Sequence, residues 1–202
     1  MNKLLLILSF CIVSCWTNAQ SFTDKALTQA VSQLNSSKTV NDYDDLFTKF
    51  SKAKTSEKLQ ADYYAAVSLY LKNELLLKSG SSQNTGDDNA MARKIAIGVW
   101  TAKRDNAEFN ILIGLLYFQK MQIDQSQNAD KDLNTISEMI TKAGNSSSSN
   151  PRLAILKAKM KEKAGDKAGA DVLFQQAISE FGNQNSSDGT PSWGKQLLQS
   201  NK

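Results

Sequence analysis

The chain has 202 residues, no histidine, two cysteines and a formal net charge of +4. Both cysteines, Cys11 and Cys15, fall in an apolar leader. Beyond it the sequence lacks the residue types that a thiol nucleophile, a zinc or copper site, a Ser-His-Asp triad or a disulfide framework requires. Setting the leader's Lys3 aside leaves 23 basic against 20 acidic residues, spread without the Lys/Arg stripe and interleaved aromatics of a nucleic-acid binder.

Residues 1–19 read as a signal peptide: Lys3, the apolar run Leu4 to Val13, then Thr17-Asn18-Ala19 before Gln20. The run is about ten residues, against the roughly 20 that a spanning helix needs. Cleavage after Ala19 makes Gln20 the first residue of the mature chain. Ile12-Val13-Ser14-Cys15 resembles a lipobox and offers a second reading, in which a lipidated Cys15 comes first; the bulky Trp16 and the Asn-Ala-Gln ending favour simple cleavage. Both readings predict export and leave residues 20–202 as one domain with a sizeable core and no transmembrane span.

From there the pattern is helical throughout. Ser21 and Asp24 read as a capping box ahead of Phe22, Ala26, Leu27, Ala30, Val31 and Leu34. Thr39 and Asp42 repeat that signal before Tyr43, Leu46 and Phe50, and a third helix over about Thr55 to Lys78 carries Leu59, Tyr63, Ala66, Val67 and Tyr70. A polar run from Ser79 to Gly86 reads as a loop, after which Asp87 or Asp88 caps a helix with Met91, Ile95, Ala96, Val99 and Trp100 inward. Asp105 and Glu108 read as the capping box of a helix whose stretch Ile111 to Phe118 is apolar on every side, which places it at the centre. Leu133, Ile136, Met139 and Ile140 mark a sixth helix ending near Gly144, and Asn150-Pro151 opens a seventh with a cap and a first-turn proline. Gly165 ends it, Asp166 starts an eighth with Ala170, Phe174, Ala177, Ile178 and Phe181 buried and Gly182 at its end, and Thr190-Pro191 begins a short last one carrying Trp193, Leu197 and Leu198. Trp193 is expected to seal the last unit.

Short-loop helix pairs raise the question of a repeat. The turn Gly165-Asp166 with Ala170, Phe174 and Ala177, and upstream Ile113, Gly114 and Tyr117, stand at tetratricopeptide spacing, although Lys157 occupies a position where an apolar residue is usual. The order Ala61-Asp62-Tyr63-Tyr64-Ala65-Ala66, Asn150-Pro151-Arg152, Ala170 to Phe174 with Phe181, and Pro191-Ser192-Trp193-Gly194-Lys195 resembles a family of small exported tetratricopeptide-like proteins of the Bacteroidota. That resemblance implies the fold and the compartment and carries over no catalytic residue. It has relatives with a Pro/Gly-rich insertion where this chain has only Gly165-Asp166.

The chemical motifs are thin. Ser51 and Lys54 have Ser-x-x-Lys spacing without a Lys-Thr-Gly or Ser-Asp-Asn partner, which makes the match a chance one at a helix end. Asp42, Asp44 and Asp45, or Asp87 and Asp88, lack the loop spacing of a calcium site and are explained as acids at helix starts. Glu108 lies beside an apolar helix, where burial would suit it to acid-base work, but a first-turn cap explains it with less. Lys157, Lys159, Lys161 and Lys163 read as a solvated face. Tyr63 and Tyr64 point about 100° apart on a helix, so one of them, Tyr64, is the candidate groove contact.

The expectation is an all-α, tetratricopeptide-like stack of about nine helices, a right-handed solenoid or compact bundle. It acts as a non-catalytic binding or scaffolding module of the periplasm or cell envelope, with a protein or peptide partner, no cofactor and no metal. Two readings stand beside it: a carboxylate-dependent envelope hydrolase, which needs two converging acids, and a lipid-anchored accessory subunit of an envelope complex, which needs modification of Cys15.

Overall fold

Residues 22–124, 128–184 and 191–200 are described by the computed structural model. They form eight α-helices: α1 (Lys25–Gln33), α2 (Val40–Ser51), α3 (Lys58–Lys78), α4 (Thr85–Trp100), α5 (Ala107–Asp124), α6 (Ala129–Ser146), α7 (Pro151–Lys163) and α8 (Lys167–Asn183). A 3-10 segment, Lys195–Ser200, follows them. The leader, with Cys15, Ala19 and Gln20, lies outside the described residues, as do Ser21 and Thr190. The fold is all-α, and among the described residues no helix is long and apolar enough to cross a membrane.

Local chemistry sets the helix starts. Asp24 caps α1 by itself, its carboxylate accepting from the backbone N–H of Ala26 at 2.7 Å and of Leu27 at 3.3 Å. Thr39 and Asp42 form the expected capping box on α2. α3 begins at Lys58, not Thr55, because Thr55 and Glu57 bond each other and Glu57 also accepts from the backbone N–H of Thr23 at 3.1 Å, which holds this turn outside the helix. Asn84 takes a left-handed conformation, φ +58°, and starts α4 at Thr85, so Asp87 and Asp88 sit in the first turn instead of at the cap. Asn150 caps α7 with Pro151 behind it, and Asp166 caps α8 after Gly165 has turned the chain at φ +81°.

Two helices carry the core. Tyr63 to Asn73 of α3 and Glu108 to Leu116 of α5 are buried without interruption, the outcome expected of a helix without a polar face. The remaining helices pack mainly on their chain neighbours, while α5 also touches α3 and α7. Tyr63 and Tyr64 are both buried, at 4% and 1% exposure, so the two rings lie in the core although they point about 100° apart. α4 turns Ala92, Ala96 and Val99 inward and leaves Met91 47% exposed; Ile178 on α8, also expected inside, is 48% exposed. α8 continues past Gly182 to Asn183, and the last segment is 3-10 instead of α-helical, with Trp193 ahead of it and fully buried.

The approach of α5 to α7 depends on Gly114. A Cβ there would lie 2.5 Å from Leu156 Cδ2, whereas at Gly98 on α4 it would meet nothing within 4 Å. Gly114→Val is expected to lower stability by about 1–3 kcal/mol through overpacking, while Gly98→Ala raises it by about 0.5–1 kcal/mol through helix propensity. Urea unfolding of the two variants checks both signs.

Candidate functional site

Arg152, in the first turn of α7, is fully buried, and its guanidinium is the hub of a polar cluster. Its Nη2 donates to Glu108 Oε1 at 2.7 Å and its Nε to Oε2 at 3.0 Å, a bidentate pair. Its Nη1 donates to the carbonyls of Pro191 at 2.7 Å and Trp193 at 3.0 Å, which ties the C-terminal segment to α7. Glu108 also accepts from Asn150 Nδ2 at 2.6 Å and from the Tyr63 hydroxyl at 3.1 Å, and that hydroxyl accepts from Trp193 Nε1 at 2.9 Å. Burial alone would pull the Arg152 guanidinium down, but the charge and hydrogen bonds of Glu108, with Tyr63 and Tyr64 beyond, more than offset it and hold it above its usual value. Burial, then the Glu108 charge, pushes the Tyr63 hydroxyl well above the usual phenol range, with Arg152 partly opposing. The tyrosine thus stays protonated and able to donate.

A cavity of about 650 Å³ opens in front of this cluster, between the start of α3 and the α4–α5 loop. Leu59, Tyr63, Tyr64 and Phe109 give it an apolar, aromatic surface, and Lys103 and Arg104 lie on its loop side. Tyr63 meets Phe109 edge to face at 5.2 Å and Tyr64 at 5.1 Å, while Tyr64 stacks on Phe50 at 5.4 Å. The aromatic wall is thus backed by core rings, and it is rigid. Both α3 and α5 begin at the cavity, so the positive ends of two helix dipoles face it. Its size falls within the range of about 300–1,000 Å³ typical of small-molecule sites.

The loop is fixed in place. Asn110, fully buried on α5, accepts from Trp100 Nε1 at 2.8 Å and donates to the Arg104 carbonyl at 3.0 Å. Ser146 of α6 donates to the Asp105 carbonyl at 2.8 Å, and Asn106 caps α5 by accepting from the N–H groups of Glu108 and Phe109.

Tyr64 reaches the cavity but is only 1% exposed, a wall residue of the core instead of a side chain on an open groove. Glu108 is not a cap, since Asn106 does that work, and its carboxylate is taken up by Arg152, Asn150 and Tyr63. Glu57 and Asp105 line the same cavity, yet Glu57 accepts from Thr23 and Thr55. Ser51 bonds the Thr48 carbonyl at the end of α2, and Lys54 is exposed. Asp44 and Asp88 lie 2.7 and 2.9 Å from the Lys72 ammonium and bridge α2, α3 and α4. Asp42 is a cap, and among the described residues no three acidic side chains gather where they could hold a metal ion. Lys159 leaves the expected solvated row to pair with the part-buried Glu74 at 2.9 Å. Sequence reasoning missed the role of Arg152, although a lone arginine inside the buried run Pro151 to Leu156 demands a buried acid, and of the α4–α5 loop it singled out Asp105 alone, as a cap.

Breaking the pair from one side leaves a buried charge alone, at a cost of about 3–5 kcal/mol. Arg152→Met and Glu108→Gln are each expected to destabilise on that scale. The double variant should cost less than their sum by about 1–3 kcal/mol. Denaturant unfolding of all four proteins closes the cycle, and strict additivity would contradict the pairing.

No protein-family model matches the chain, and no curated protein does. Among solved structures, the HusA haemophore from Porphyromonas gingivalis is similar in fold: TM-score 0.67 and 18% sequence identity, over 86% of this chain and 88% of that one.

Proposed function

We propose that this protein is an exported, non-catalytic binding protein whose cavity between α3 and the α4–α5 loop takes a flat, largely apolar ligand of the porphyrin class. The cavity carries the reading: its surface is formed by Leu59, Tyr63, Tyr64 and Phe109, its loop side carries two cations, and its size suits one small molecule. The likeness in fold to a haemophore supports the choice of ligand class. With no histidine in the chain, the grip falls on the ring system and its periphery, through apolar contact with the cavity surface. Tyr64 serves as part of that surface. Glu108 and Glu57 are committed as hydrogen-bond acceptors, which argues against their converging as the acid pair of a hydrolase. Export by the leader, with cleavage after Ala19 or lipidation at Cys15, and a single tetratricopeptide-like domain over residues 20–202 complete the proposal.

The test is an absorbance titration of the purified protein with hemin, repeated on Leu59→Glu. Leu59 is 42% exposed on the cavity surface, so the substitution spares the fold while adding a charge to the apolar surface. Saturable one-to-one binding is expected, weakened about tenfold or more by the variant, as burying an unpaired charge implies. Absence of saturable binding, or equal affinity in the two proteins, would refute the reading.

A further inference from the structure

Arg104 has an open guanidinium. Arg152 spends its donors on Glu108 and two carbonyls, and Arg93 donates to Asn89. Arg104, by contrast, pairs with no carboxylate among the described residues and lies over the Trp100 ring at 5.0 Å. Cation–π contact leaves the edge of the guanidinium plane, where its N–H groups point, available for a carboxylate. Its backbone is held independently by Asn110, which also fixes the Trp100 indole, so ring and loop are placed together by one buried amide. Across the cavity on α3, the Gln60 amide nitrogen is buried without a hydrogen-bond partner, a second open donor. An unmade hydrogen bond at a buried donor is costly, and an acceptor supplied by a ligand would remove that cost.

The carboxylates on the wall do not fill these donors. Glu108 is consumed by Arg152, Asn150 and Tyr63, and Glu57 by Thr23 and Thr55. Asp105 is exposed, where water and salt screen it.

We infer that Arg104 is the specificity-determining residue of the cavity, pairing with a carboxylate at the rim of the ligand. The site thereby selects flat apolar molecules that carry carboxylates over neutral ones of the same shape. Trp100 and Asn110 are the positioning residues behind it, and the Gln60 amide offers a second donor on the opposite wall. This rests on the proposed porphyrin-class cavity and adds the chemical group that is read.

The experiment compares iron-free protoporphyrin IX with its dimethyl ester by fluorescence titration in one detergent-containing buffer, on the wild type and on Arg104→Gln. Arg104 is exposed, so the variant is expected to keep the helical circular dichroism of the wild type. The wild type should bind the diacid about tenfold more tightly than the diester, the scale of one charge-assisted hydrogen-bonded pair. Arg104→Gln should weaken the diacid about tenfold and leave the diester unchanged; Arg104→Lys, which keeps the charge without the fork, should fall between. Equal affinity of the wild type for diacid and diester, or an equal loss for both in Arg104→Gln, overturns the inference while leaving the cavity reading intact. If neither porphyrin binds the wild type, both fall.

Discussion

The bidentate pair of Arg152 and Glu108 is the constraint on which the rest of the structure depends. Each charge gives up several kcal/mol of hydration on burial, and such a pair survives only where the remaining donors and acceptors are satisfied. Here Asn150 and Tyr63 complete the carboxylate, while Pro191 and Trp193 complete the guanidinium. The cluster thereby joins the beginnings of α5 and α7, the first turns of α3 and the C-terminal segment. No apolar contact among these elements fixes direction as six charge-assisted hydrogen bonds do.

The cavity is the other face of that arrangement. Because Glu108 is drawn inward to Arg152, it is Asn106 that caps α5, and the loop before it folds over Trp100 and Asn110. Tyr63 belongs to both systems: its hydroxyl is bound between Glu108 and Trp193, and its ring forms part of the cavity wall beside Phe109. The site is rigid on its aromatic side and carries its charge on a loop pinned from α5 and α6, a division of labour that suits capture of a stiff ligand with little ordering to be done on binding.

Much of the fold was legible in the sequence because helix starts and stops are local. Thr39 with Asp42, Asn150-Pro151 and Gly165-Asp166 each act within four residues, and all three stand where their chemistry puts them. The apolar surround of Ile111 to Phe118 was equally direct, since a helix with no polar face has one place to go. Errors arose where a partner lies far away in sequence. Glu108 looks like a cap beside Asp105 until Arg152 arrives from 44 residues on, and Asp88 looks like a cap until Lys72 reaches it. Periodicity also places a buried face only to within about one residue, which is why Met91 was assigned inward in place of Ala92. The candidate site was less legible still: its aromatic wall is built from residues that read as core, and Arg104 is distinguished only by what its guanidinium fails to meet.

The most direct test of the central claim is hydrogen exchange on the Arg152→Met protein beside the wild type. If the ion pair is the common anchor, protection should fall together in residues 191–200, in the first turns of α3 and α5 that border the cavity, and in the start of α7, while the middle of α3 and the α4–α5 interface keep theirs. Loss confined to the first turn of α7, with the C-terminal segment and cavity helices protected as before, would contradict it.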